Sequence, residues 1–148
     1  MARKHIFVIK GIEKAGKTTV VNLIRNLLIG KHPNHKEIDY LTPRHHKEIK
    51  RIIIIGSIKI GLESQGDPSS RIYESIPFFV EEACDIIICA TRTSGRTVNL
   101  INEYKLSHEI HWYEPIFSPN SPDNANDKKA SEIFSEIVHV ISNLQRSK

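Results

Sequence analysis

An α/β fold, with helices on both faces of a mostly parallel sheet, follows from three features of the chain. Apolar runs of strand length alternate with amphipathic stretches of helix length. A glycine-bearing turn joins the first apolar run directly to the first amphipathic stretch. Asp85-Ile86-Ile87-Ile88-Cys89-Ala90 is a continuous apolar run of the kind carried by a strand buried on both faces. Together these predict a three-layer α/β/α sandwich. The 148 residues, 39% hydrophobic and 26% charged, suit a single domain, 1–148, with a real core and little room for a separate lid.

The first strand is expected over 4–10 and the first helix over 17–30. Val20, Leu23, Ile24, Leu27 and Leu28 form its apolar stripe, with Gly30 and Pro33 as its stop. A polar stretch follows, with a short strand near 38–41. Arg51–Ile55 and Ile58–Glu63, separated by Gly56-Ser57, read as a β-hairpin. The hairpin adds an antiparallel edge to an otherwise parallel sheet. A loop at 66–70 opens a helix running to about Ala83, which Pro77 should kink or divide. After the strand at 85–90 come a loop at 91–97, a helix of about 95–105 and a strand at 108–114. Trp112 and Tyr113 in that strand read as core and rim. A Pro- and Ser-rich loop at 118–123 precedes a final helix, about 127–146, with Ile133, Phe134, Ile137, Val138, Ile141 and Leu144 on one face.

The net charge of +4 suits anionic nucleotides in general, with nucleic acid as a less favoured partner. Arg44-His45-His46-Lys47 with Lys50-Arg51 reads as a solvated loop before a strand, phosphate contact being the alternative. Cys84 and Cys89 match no zinc spacing and read as buried thiols. No apolar run has the length of a signal or membrane span, so a cytoplasmic protein without a membrane partner is expected. His108 and His111, three apart in a strand, should point to opposite faces. Neither they nor His45-His46 have an evident third ligand, and no histidine metal site is expected.

Gly11-Ile12-Glu13-Lys14-Ala15-Gly16-Lys17-Thr18 fits G-x-x-x-x-G-K-[ST] at every fixed position. The apolar run Ile6–Ile9 precedes it and the stretch Thr19–Leu28 follows, the strand–loop–helix setting the pattern requires. Gly11 and Gly16 let main-chain N–H groups approach phosphate oxygens, and the following helix adds its positive dipole end. The plain alternative is an accidental glycine turn. Here the chain resembles the P-loop NTPase superfamily. Over residues 4–28 its Gly-x-Glu-x-x-Gly-Lys-Thr-Thr form is most similar to small nucleoside and nucleotide kinases such as thymidylate kinases. Lys14 stands where those kinases usually have glycine. Ile12 stands where chromosome-partitioning ATPases carry an additional lysine. The resemblance implies ATP or another NTP with Mg²⁺, held by Gly11, Ile12, Glu13, Lys14, Ala15, Gly16, Lys17, Thr18 and Thr19. Lys17 would reach the β- and γ-phosphates and the Thr18 hydroxyl would ligate Mg²⁺, while Thr19 caps or packs.

A second metal carboxylate is expected near the end of a neighbouring strand, but no apolar run ends in Asp there. Asp67, after the turn-permitting Gly66, is the preferred substitute, and Glu63 is the alternative. Otherwise Asp67 is a turn or N-cap residue beside Pro68, and Glu63 the solvent-facing residue of a strand. Arg92 and Arg96 follow the strand at 85–90, whose carboxyl end should face the ligand crevice. They would neutralise a transferring phosphoryl group or stack on a base, or else are surface cations. Arg71 is favoured as a surface cation. Ser94-Gly95 with Thr97 offers a second anion site, or a helix N-cap by Thr93 or Ser94.

These features favour a kinase-like, ATP-dependent phosphotransferase acting on a nucleotide or another small acceptor. An Asp-Arg or Asp-Phe acceptor motif and a basic lid are both missing. The alternative is an ATPase or NTP-binding switch with a protein or nucleic-acid partner, using the hairpin and the loop at 44–51 as contact surfaces. A guanine-specific version is disfavoured: Asn126-Asp127-Lys128 has the wrong order and falls in an expected loop. A binding protein with little turnover is the third reading, since no catalytic base is evident.

Overall fold

The computed structural model describes residues 3–11, 16–41, 48–66, 70–114 and 122–147, the last stretch with side chains from residue 125 onward. Along the chain come β1 (Lys4–Lys10), α1 (Lys17–Lys31), β2 (Lys36–Asp39), β3 (Lys50–Ile55) and β4 (Ile58–Glu63). They are followed by α2 (Ile72–Glu81), β5 (Ile86–Thr91), α3 (Arg96–Asn102), β6 (His108–Tyr113) and α4 (Pro122–Ser147). The strands form one six-stranded sheet in the order β2-β3-β4-β5-β1-β6. β4 with β5, β5 with β1 and β1 with β6 pair in parallel, whereas β2 with β3 and β3 with β4 are antiparallel. The hairpin therefore extends one side of a parallel sheet, as its Gly56-Ser57 turn implied.

Strand alternation explains why helices cover both faces. Along β1, Phe7 and Ile9 join α1 and α4 in one apolar cluster, while Ile6 and Val8 join α2 and α3 in another. Along β5, Ile86 and Ile88 face the first cluster, and Ile87 and Cys89 the second. All six β5 residues are buried, so a continuous apolar run is what this strand requires. Helices on both faces of one sheet are compatible with a three-layer sandwich.

Proline and glycine account for most boundary differences. α1 runs through Gly30 to Lys31 and closes with the His32 N–H donating to the Leu28 carbonyl. α2 is one helix despite Pro77. The proline is on the exposed side, and the fully buried Ile72, Ile76 and Phe79 anchor the helix on both sides of the lost bond. α4 begins at Pro122 rather than near 127, because a fixed proline φ suits the first helical position. Asn126 thus lies in a helix, not a loop. α3 is shorter than expected, ending at Asn102, and β2 is Lys36–Asp39 rather than 38–41.

The basic stretch 44–47 lies outside the described residues. Beside it, Arg51 pairs with Glu37 (3.3 Å) and Asp39 (3.2 Å), and the Lys50 amine sits 4.9 Å from the centre of the Phe78 ring. Arg51 thus ties β3 to edge strand β2, and Lys50 packs on α2. Cys84 and Cys89 are free and buried. Burial pushes the Cys84 thiol up to about 12 and raises Cys89 as well, so both stay protonated at neutral pH. Trp112 is partly buried against the α2–α3 side and Tyr113 against the α1–α4 side. No helix among the described residues is long and apolar enough to cross a membrane.

Edge strand β2 is tied to α1 by charge. Arg25 Nε and Nη2 donate to the two Glu37 carboxylate oxygens at 2.8 and 2.6 Å. Those hydrogen bonds hold the Glu37 carboxyl below the ordinary glutamate range, against the opposing effect of burial. A depressed folded-state pKa stabilises above the unfolded value of about 4.3 and is lost as pH falls through the folded value. Glu37→Gln should therefore lower the melting temperature at pH 7. It should also flatten the loss of stability with pH below about pH 4.3 in acid-melting curves.

Candidate functional site

The glycine pattern lies where β1 leaves the sheet. The Gly11 N–H donates to the Thr91 carbonyl at the end of β5 (3.1 Å), so the loop departs from a fixed point. Ile12, Glu13, Lys14 and Ala15 lie outside the described residues. Gly16 opens α1 in the left-handed region, φ 85° and ψ 13°, which costs about 1–2 kcal/mol for a residue with a Cβ. Its N-cap is Gly16, which has no side chain to cap with, and its first turn carries no acid. A Cβ on Gly16 would also stand 2.6 Å from Asn126 Oδ1, so α4 packs directly on the loop. Asn126 is 9% exposed, and nothing local in the sequence links it to a loop more than a hundred residues earlier.

Lys17 is 8% exposed, and its ammonium donates to the carbonyls of Gly11 (2.7 Å) and Thr91 (2.9 Å). The amine thus bridges the carboxyl ends of β1 and β5. Thr18 is half-buried in the same turn, and Thr19 is exposed.

The exit of β4 meets this point from the side. Gly66 is in main-chain contact with β5: a Cβ there would lie 2.2 Å from the Ala90 carbonyl oxygen and 2.8 Å from the Thr91 nitrogen. No side chain fits, because the neighbouring atoms are backbone. Asp67 lies outside the described residues. Glu63 is fully buried and is not the solvent-facing residue of a strand. Arg71 Nε and Nη2 donate to its two oxygens at 2.9 and 2.7 Å. Ser75 Oγ adds a 2.5 Å bond to Oε1, and the Gln65 N–H a 3.0 Å bond to Oε2. Arg71 is accordingly half of a buried ion pair and not a surface cation. Its Nη2 is also 3.9 Å from Glu48, whose carboxylate accepts from Ser64 Oγ at 2.6 Å.

Arg92 follows Thr91 directly and is half-buried. Its N–H donates to Thr97 Oγ1 at 3.0 Å. α3 opens at Gly95 with no side-chain cap, so neither Thr93 nor Ser94 caps it. The buried Thr97 hydroxyl serves the loop main chain instead of an open anion cradle. Arg96 is exposed, and its guanidinium sits 5.8 Å from the Tyr73 ring centre, over α2. The fold therefore gathers Gly11, Gly16, Lys17, Gly66, Thr91 and Arg92 around the ends of β1 and β5. It draws Arg96 toward α2 and commits Glu63 to Arg71. Against family models, curated proteins and solved structures, the chain has no match.

Proposed function

We propose that the chain is a magnesium-dependent, ATP-binding P-loop protein acting as a kinase-like phosphotransferase on a nucleotide or another small acceptor. One observation carries this reading. A G-x-x-x-x-G-K-T run sits between β1 and α1, with Gly16 left-handed at the helix start and the Lys17 ammonium held at the junction of β1 and β5. In an open α/β sheet this is the crevice outside the strands' carboxyl ends. The three-layer P-loop sandwich is part of the same proposal.

The residues divide the work as follows. The amides of the loop at 11–18 and of the first turn of α1 take the phosphate oxygens. Lys17 exchanges two carbonyl bonds for charge-assisted bonds to the β- and γ-phosphates. Thr18 takes Mg²⁺, and Asp67 is the favoured second carboxylate. Glu63 is the weaker candidate, because Arg71, Ser75 and the Gln65 N–H already occupy its oxygens. Arg92, at the end of β5, is better placed than Arg96 to balance charge on a transferring phosphoryl group.

An ATPase or NTP switch is favoured by one feature. With Thr97 used by the Arg92 N–H and Arg96 drawn over Tyr73, the second anion site that would suit a phosphate acceptor is weakened. Incubation with ATP labelled in the γ-phosphate, with and without a pool of nucleosides and nucleotides, separates the two. A phosphotransferase places label on a pool member, whereas an ATPase yields only free phosphate. ATP that neither binds nor turns over contradicts both. In the same assay Asp67→Asn should raise the Mg²⁺ requirement more than Glu63→Gln does, and the reverse order assigns the metal to Glu63.

A further inference from the structure

We propose that His5, Glu109 and His111 form a binding site for a divalent transition metal, with zinc as the best fit. The sheet assembles it. β1 and β6 run parallel with His5 opposite Glu109 and Phe7 opposite His111, so residues 5, 109 and 111 share one face of two neighbouring strands. His5 Nδ1 lies 3.0 Å from His111 Nε2 and 3.7 Å from Glu109 Oε2. The three ligand atoms all fall within 4.8 Å of one another. Metal–ligand bonds of about 2.0–2.2 Å at tetrahedral angles place neighbouring ligand atoms roughly 3.3 Å apart, so small side-chain adjustments suffice. Two imidazoles and one carboxylate are borderline donors that suit zinc, cobalt, nickel or copper better than magnesium or calcium.

The rings are set before any ion arrives. His111 stacks on Phe7 with centroids 4.3 Å apart and planes 11° apart, and His5 stacks on His111 at 5.3 Å. Glu109 is exposed, so the site opens to solvent and water can complete the coordination. Arg3 opposes a cation here, but its Nη2 is tied to the carbonyls of Lys105 (3.0 Å) and His108 (3.3 Å). His5 lies five residues before Lys10 along β1, about 17 Å at the strand rise, which separates this site from the phosphate loop. A bound metal would cross-link edge strand β6 to β1.

The test uses the full chain without a histidine tag, with Zn²⁺ and Co²⁺ as probes. Calorimetry should give one zinc per chain at micromolar protein, and Co²⁺ should produce a visible ligand-field band that zinc bleaches. Losing a supporting group around a metal already costs about 10–100-fold in affinity, so losing a ligand should weaken zinc binding by at least that much in Glu109→Gln and His111→Asn. Glu109 is exposed, so Glu109→Gln is expected to fold even where His111→Asn does not. His139→Asn, at an exposed position on α4, should bind zinc like the parent chain. Absence of zinc uptake, or affinity unchanged in Glu109→Gln, overturns the proposal.

Discussion

Lys17→Ala is expected to remove magnesium–ATP binding, with affinity falling by at least about 100-fold, or roughly 3 kcal/mol. The expectation comes from where the amine rests. It is almost fully buried and held by the Gly11 and Thr91 carbonyls, a position from which it can turn to a phosphate without leaving the strand ends. The fold should survive, because the Thr91 carbonyl keeps its bond from the Gly11 N–H. The lost side-chain bonds amount to roughly 1–2 kcal/mol in stability. Calorimetric titration beside a thermal melt separates the two effects. Native melting with no heat of binding supports the assignment, and unchanged ATP affinity contradicts it.

Arg71→Ala should produce the largest loss of stability of any single change at the site. It leaves the Glu63 carboxylate, fully buried, without its bidentate partner. Removing one member of a buried ion pair costs about 3–5 kcal/mol, which for a chain of this size lowers the melting temperature by on the order of 10 °C. Replacing both residues, Glu63→Leu with Arg71→Leu, should recover much of the loss, because no uncompensated charge then remains. A melting temperature unchanged in Arg71→Ala would mean that the pair does not hold the β4 exit in place. The pair is structural in this account: it fixes the turn that delivers Gly66 to the main chain of β5.

Features set by local chemistry were legible in the sequence. Glycines at 11 and 16 mark the loop between strand and helix, Gly56-Ser57 marks the hairpin, and the isoleucine run at 86–88 marks the strand buried on both faces. Proline carried two meanings that local pattern did not separate. Pro77 sits inside α2 because deep apolar anchors hold the helix on both sides, and Pro122 begins α4 where a loop was expected. Long-range pairing was hidden. Glu63 reads as an exposed strand end until α2 folds back and brings Arg71 and Ser75 onto it. His108 is the histidine near His111 in sequence, whereas its partners His5 and Glu109 depend on the parallel register of β1 with β6. Asn126 reaches the loop only through the packing of α4.

The most direct test is an amide chemical-shift titration of the labelled chain with a magnesium complex of a slowly hydrolysed ATP analogue. The largest shifts should fall on the N–H groups of Gly11, Gly16, Lys17 and Thr18. Saturable shifts elsewhere, with those four amides unmoved, would contradict it.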